Sequence, residues 1–495
     1  MTSWREDACV FIGVFLLCFA FLASSVNVFD FFAYYDYMQK SVNFDFFGAA
    51  QNAFGVWGGG AGGFSRSSFY VLLSYPFAFA LESLGLDVAF SLNMFSAIMI
   101  AVSAVFVRRS VSLLFDSKLA NFSTLVYIIL PWVLFNGINA TLSSMQLAVT
   151  SAWLYLVLKY RTKKEPSYAY AASGLLVLDV LTHLISLPLA LPHMYVLLKG
   201  KRKPVFMLKN LLILSPAGLA FVYFNFFNRA YSASFSLNKF VFSSLLVSWE
   251  FVNALSFPVF ALSLFSLAAF LLGKYKKSLF HDIFLLAFIA TIPTMLIFHY
   301  VPMANFNSIF VFIPLLVAHV FRNAKKPLVV GLVVIGLILL KTVPMAYDFH
   351  YYPHPHTEYV KWLGSVIGDN YVLVGHECAA ARVYIPGRAV CIGEENNMTP
   401  DKKVFLTSQY VENENQLELG YAAKLLKISS ANLGIGKPSF LDAKNYTFYA
   451  SFTGNIRPVE DHYEWLYSVY PNPLYNLFFY SALPTPRYDL YVLNQ

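Results

Sequence analysis

The chain has 495 residues, of which 58% are hydrophobic, 18% aromatic and 13% charged, and its formal net charge is +8. Soluble domains carry about a quarter charged residues, so an ordinary cytosolic enzyme is excluded. Stretches such as 8–29, 175–198 and 327–340 hold almost no charge and are long enough to cross, or nearly cross, a bilayer.

The first apolar run, 8–29, is too long for a signal peptide, and Glu6 and Asp7 cancel any positive flank from Arg5. It predicts a retained first helix ending beside Asp30. The loop that follows reads Phe29-Asp30-Phe31-Phe32-Ala33-Tyr34-Tyr35-Asp36. A carboxylate among aromatics at the membrane surface is partly desolvated, which suits general-base work; the plainer alternative is an acid that ends the helix within an aromatic belt. Gly58-Gly59-Gly60-Ala61-Gly62-Gly63 reads as a hinge, a backbone lying close to a ligand, or a linker. No Gly-Lys-Ser or Gly-Lys-Thr follows it, so it is not a phosphate-binding loop. Residues 68–86 are apolar enough to count as a crossing. Arg66 and three serines at the start, with Glu82 and Asp87 near the end, suit instead a helix lying along the external interface.

Charge orients the rest. Residues 1–347 hold 24 Lys and Arg against 12 Asp and Glu, whereas the tail from Asp348 holds 11 against 15. Eighteen of the 24 fall in five clusters: Arg108, Arg109 and Lys118; Lys159, Arg161, Lys163 and Lys164; Lys199, Lys201, Arg202, Lys203 and Lys209; Lys274, Lys276 and Lys277; Arg322, Lys325 and Lys326. This is the pattern of cytoplasmic loops, not of a nucleic-acid surface. Spans are predicted at 88–107, 119–137, 143–158, 168–182, 184–198, 210–228, 254–273, 279–298, 306–321 and 327–346. With the first helix they make about eleven crossings, a cytoplasmic N-terminus and an external tail.

The external turns follow in order. Asn136-Gly137-Ile138-Asn139-Ala140-Thr141 is tight and polar, and Ser143 with Gln146 reads as a capping box. Asp179 and His183 stand one helical turn apart, as a proton relay or a structural hydrogen bond. Residues 229–253 carry Arg229, Lys239, Trp249 and Glu250; the next loop carries His299, Asn305 and Asn307. Asn139-Ala-Thr, Asn397-Met-Thr and Asn445-Tyr-Thr are acceptor sequons on the predicted outer side, and Asn121-Phe-Ser lies on the inner one. Cys378 and Cys391 in the external tail either form a disulfide or stay as thiols. No zinc signature occurs; His350, His354 and His356 belong to a proline-rich linker.

The tail, 347–495, reads as a separate α/β domain with a largely parallel sheet. A helix at 356–368 precedes strands at 371–375, 389–392 and 404–407, a helix at 420–428, and strands at 446–452 and 488–493. Its role is to cap the membrane site or to bind acceptor.

The layout resembles the GT-C superfamily of membrane glycosyltransferases, which use polyprenyl-phosphate sugars. The resemblance is carried by Asp30 just after the first helix with Tyr34 four positions on, by the interfacial reading of 68–86, by the short paired helices of 175–198, and by an external tail introduced by Trp362 and the Arg388-x-Val390 strand. It departs where relatives have Asp-Glu in the first loop, since Phe31 follows Asp30, and where they place an acid in the second turn, since Asn136 and Asn139 stand there.

The resemblance implies a GT-C-like transmembrane domain over 1–346, with 30–87 as the first external loop. It implies transfer of a sugar from a polyprenyl-phosphate donor to a glycan, lipid or protein on the extracytoplasmic face of the cell membrane. Asp30 or Asp36 is then the base, and Arg66, His183, Arg229 and His299 are the donor-phosphate candidates. Tyr34, Asn139 and Glu250 are set against the acceptor. The pattern names no definite cofactor; a divalent metal stays open as an alternative, without the support of a second acidic motif. A polysaccharide polymerase or ligase, a transporter and an inactive relative are the alternatives.

Overall fold

The computed structural model describes residues 4–23, 68–199, 204–222, 251–271, 279–297, 306–322, 327–352 and 355–374, Ser244, Ser248, parts of 381–407, and 446–453 and 487–493. Asp30, Tyr34, Asp36, Arg66, Arg229, Glu250, His299 and Cys378 lie outside these residues, as do the glycine run and the helix expected at 420–428.

Helix α1 (Trp4–Ala20) starts earlier and stops earlier than the 8–29 run. The Phe21 and Leu22 N–H groups donate to carbonyls three residues back, and the Ala23 N–H turns away to the Ile138 carbonyl at 3.0 Å. The first helix therefore ends at Ala20 instead of running to residue 29. Helix α2 (Ser68–Glu82) precedes α3 (Val88–Ser112), whose Asp87 cap accepts from the Phe90 N–H.

Helices α1 and α3 are antiparallel, pinned at both ends. At one end Asp7 takes Arg108 at 3.0 Å and Arg109 at 2.7 Å, Glu6 also takes Arg108, and Asn121 accepts from the Arg108 Nε at 2.6 Å. At the other, the Asn93 amide donates to the Ala23 carbonyl at 3.1 Å. The N-terminus thus shares an end with the first basic cluster, and α2 cannot be the sole crossing between the two helices. Tyr70 and Phe77 of α2, two turns apart, both pack on the ring of Phe95.

The predicted crossing at 119–137 is broken: α4 (Ser117–Ile129) and α5 (Pro131–Ile138) meet at 68°. Pro131 is the cause, because it biases Leu130 away from helical geometry and supplies no N–H for continuation. Helix α6 (Leu142–Lys163) is capped by the Thr141 hydroxyl, which accepts the Ser144 N–H. The Ser143–Gln146 capping box is not formed; Gln146 faces other helices instead. After α7 (Pro166–Thr182), the 184–198 segment begins as a 3-10 helix, Leu184–Leu189, before α8 (Ala190–Lys199).

The remaining membrane helices are α9 (Pro204–Val222), α10 (Phe257–Leu271), α11 (Leu279–Ile297), α12 (Asn307–Phe310), α13 (Ile313–Arg322) and α14 (Pro327–Tyr351). Among the described residues, two helices are long and apolar enough to cross a membrane, or three if the bent α4–α5 pair is one span. Shorter apolar helices occupy the predicted spans at 210–228, 254–273, 279–298 and 306–321. Leu328, Val329, Leu332 and Val333 are exposed on α14, which is the face a bilayer covers. The chain is an integral membrane protein.

In the tail, α15 (Pro355–Ile367) leads to β1 (Tyr371–Val374), β2 (Ala389–Cys391), β3 (Val404–Thr407), β4 (Tyr446–Thr453) and β5 (Arg487–Leu493), in the order β2-β1-β3-β5-β4. The β2-β1-β3 half is parallel, but β3-β5 and β5-β4 are antiparallel, so the sheet is mixed rather than largely parallel. Alternation along the strands builds both faces: Val372, Ala389, Phe405 and Leu490 pack with Tyr359, Leu363 and Ile367 of α15, and Leu373, Val390 and Leu406 face the other way.

The Asp7 clamp predicts a measurable asymmetry. Arg108 is 1% exposed, so Asp7→Ala strands much of a buried charge. The cost is about 3 kcal/mol, at the low end because Glu6 and Asn121 remain. The pair Asp7→Ala with Arg108→Met will lose less than the single change, as thermal unfolding in nanodiscs will report.

Candidate active site

The basic clusters mark one end of the bundle, and the polar side chains gather toward the other. At 1.5 Å per helical residue, Asp179 on α7 and Lys341 on α14 each lie about 20 Å from the basic start of their helix. Buried polar groups at that depth need partners from neighbouring helices, because hydrocarbon supplies none.

They find them in a continuous relay. The Trp132 indole of α5 donates to the Asn307 Oδ1 of α12 at 2.7 Å, and the Asn307 amide donates to the Gln146 Oε1 of α6 at 2.8 Å. The Gln146 Nε2 donates to the Ser186 Oγ of the 3-10 helix at 2.8 Å. A separate bond joins α7 to α6, where the Asp179 Oδ2 accepts from the Thr150 hydroxyl at 2.7 Å. Gln146, Thr150, Asp179, Ser186 and Asn307 are all fully buried. The two elements that interrupt crossings, α5 and the 3-10 helix, are thus fastened to the long helix α6 by this chain.

A second group joins the relay end of the bundle to the root of the first loop. Asn93 donates to Ala23 and accepts from the Ala140 N–H at 2.7 Å, while Thr141 donates to the Asn136 Oδ1 at 2.7 Å and its N–H reaches Ser96 at 3.2 Å. The first loop therefore springs from this polar layer. Nearby, Lys341 of α14, 4% exposed, donates to the Asn253 Oδ1 at 2.5 Å. Phe251, two residues from Asn253, packs on Phe306 and Phe310, and Phe310 packs on Trp132.

A separate buried cluster lies closer to the basic end. The Ser173 hydroxyl donates to Asn210 at 2.7 Å, so it accepts from the His193 Nε2–H at 2.9 Å, and Trp153 donates to the His193 Nδ1 at 3.3 Å. Those contacts define a neutral imidazole with its proton on Nε2. Every partner is a protein group, so the cluster serves as a structural fastening.

Of the candidate catalytic, phosphate-binding, acceptor and disulfide residues, His183, Asn139 and Cys391 lie within the described structure. His183 caps α7, and its N–H donates to the Asp179 carbonyl at 2.8 Å. Asn139 caps α5, fully buried, with its amide on the Phe135 carbonyl at 3.1 Å, so this sequon does not present its side chain to solvent. Cys391 ends β2 opposite Val374; Cys378 lies outside the described residues. Asp282 sits at the basic end, accepting from Tyr195 at 2.8 Å and Lys199 at 3.2 Å. The Tyr195 hydroxyl, then the Asp282 carboxylate, raise the Lys199 ammonium above the usual lysine range. Among the described residues no three His, Cys, Asp or Glu side chains gather as a metal site would require.

Sequence reading missed Lys341, Gln146, Thr150 and Ser186 as site residues. Lys341 was visible, being the one ionisable residue between Pro327 and Ala346. The relay members were not, because hydroxyls and amides scattered over four helices carry no local pattern.

The fold and this layer define an integral membrane protein with its buried polar groups concentrated away from the basic loops and with an α/β domain at its C-terminal end. No protein-family model matches the chain, and no curated protein matches it. Two solved structures of ArnT from Cupriavidus metallidurans are similar to it, one in the apo state at 14% identity and one bound to undecaprenyl phosphate at 16% identity. Each has a TM-score of 0.49 and covers 77% of this chain and 75% of that chain.

The relay yields a graded expectation. Asn307→Leu strands the Trp132 N–H and the Gln146 Oε1 together, at about 1–3 kcal/mol for each buried group. Thr150→Val removes a single bond and costs less. Unfolding temperatures of the two variants in nanodiscs check the order.

Proposed function

We propose that the chain is a membrane glycosyltransferase that takes a sugar from a polyprenyl-phosphate donor and transfers it to a glycan, lipid or protein acceptor on the extracytoplasmic face. The observation that carries the reading is the anchoring of the first loop. Ala23 is bonded to Asn93 and Ile138 inside the polar layer, and Asp30 stands seven residues further along the chain. A chain of that length reaches at most about 25 Å, which supports reading the loop acids as acting on the side of the layer. The basic clusters at the opposite end favour a cytoplasmic inner face, which leaves the layer and the first loop outside.

The chemistry follows from the groups available. The acceptor O–H or N–H loses its proton to the carboxylate of Asp30 or Asp36, and the acceptor atom bonds to the anomeric carbon of the sugar. The bond from that carbon to the phosphate oxygen breaks, and polyprenyl phosphate departs with the electron pair. Cationic or hydrogen-bonding groups toward the leaving phosphate lower the barrier most, because charge develops there in a water-poor setting. Arg66, His183, Arg229 and His299 remain the sequence-derived candidates, and Tyr34, Asn139 and Glu250 those for the acceptor. The ArnT structure with undecaprenyl phosphate names the kind of carrier that this reading assigns to the donor. The shorter helices complete the crossings, about eleven in all, and the α/β domain lies over the site as a cap or acceptor platform.

Asp30→Asn is expected to abolish transfer, by at least about 100-fold as for loss of a general base, while insertion and donor binding persist. Asp36→Asn, assayed in parallel in membranes supplied with polyprenyl-phosphate sugar, separates the two acids. Undiminished transfer in both variants would contradict the assignment.

A further inference from the structure

Lys341 lies about 20 Å from the basic start of the last membrane helix, and not in any external loop. From Pro327 to Ala346 it is the one ionisable residue. The helix has an available lipid face, where Leu332, Leu339, Leu340 and Val343 are exposed. Lysines on such a face snorkel toward the interface. Lys341 instead lies on the inward face with Ile338, Thr342, Met345 and Phe349, at 4% exposure, and its Nζ is oriented by the Asn253 Oδ1 at 2.5 Å. Among the described residues it is the only lysine or arginine in the half of the membrane helices away from the basic clusters.

Its surroundings are those of an amphiphile site. Thr342 donates to the Ile129 carbonyl at 2.8 Å, which sets α14 against the α4–α5 bend. Phe251, two residues from Asn253 in the chain, packs on Phe306 and Phe310, and Phe310 packs on Trp132. A buried cation on an apolar helix face, bonded to Asn253, matches a phosphate headed by a prenyl chain, and intramembrane ionisable residues mark substrate paths.

We infer that Lys341, oriented by Asn253, binds the phosphate of the lipid carrier and compensates the charge that develops on it as the bond to the sugar breaks. This rests on the glycosyltransferase reading and adds to it a residue outside the external loops. The ammonium acts as a compact point charge, and the low dielectric around it strengthens the attraction.

The test uses the full chain in phosphatidylcholine nanodiscs and measures binding of undecaprenyl phosphate to the wild type and to Lys341→Gln, with melting temperature as the folding control. Lys341→Met, unbranched and of similar length, replaces the glutamine variant if that one fails to insert. The expected result is binding by the wild type and at least a tenfold loss in the variant. Competing phosphatidylglycerol and millimolar inorganic phosphate are expected to leave the wild-type affinity unchanged. Equal affinity in wild type and variant would overturn the role of Lys341 alone. Displacement by phosphatidylglycerol would reduce the site to general anionic-lipid binding, and displacement by inorganic phosphate would reassign it to free phosphate; either overturns the inference. Absence of undecaprenyl phosphate binding to the wild type would instead overturn the donor assignment itself.

Discussion

Hydrocarbon offers no hydrogen-bond partner, so a polar side chain within the bundle must find one on another helix. Gln146 shows how much structure that constraint organises here. Its amide can accept and donate at once, and it does both, from Asn307 and to Ser186. A leucine at that position would leave α5, α12 and the 3-10 helix with no common partner. The amide therefore does more than fill space: it ties three interrupted elements to α6, an uninterrupted one, and keeps the polar layer assembled.

The two ends of the bundle solve different electrostatic problems. At the basic end, Arg108 and Arg109 are neutralised by Glu6 and Asp7, and Lys199 by Asp282, so charges that orient the chain also staple helices together. At the far end the groups are mostly neutral amides, hydroxyls and an indole, with Asp179 and Lys341 among them. Neutral donors and acceptors cost less to bury than charges, and here they orient both ionisable groups through Thr150 and Asn253. The chain leaves this end through Ala23, which is bonded to Asn93 and Ile138.

Most of the helix positions were legible in the sequence because apolar length and basic clusters are long-range, redundant signals. The strands at 371–374, 404–407 and 446–453 were also legible, as alternating or continuous apolar runs. The breaks were not read: Pro131 and Pro188 were visible, but runs such as 119–137 were judged by hydropathy, which is blind to a proline-directed bend. The early end of α1 was hidden for a different reason. Its stop is a tertiary event, the capture of the Ala23 N–H by Ile138 over a hundred residues away. Gln146 illustrates the converse error: local spacing offered a capping box, and distant helices competed successfully for the same amide. The antiparallel edge of the sheet escaped notice because strand spacing alone does not record strand direction.

The central claim is that the polar layer holds the phosphate of a polyprenyl carrier beneath the first loop. A cryo-EM map of the full chain in nanodiscs with undecaprenyl phosphate tests it directly. The account predicts headgroup density between Lys341 and the Ala23 end of the first loop, with the prenyl chain running along the apolar helices toward the bilayer. Headgroup density among the basic clusters at the opposite end, or a continuous water-filled path through the bundle in place of a closed site, would contradict it.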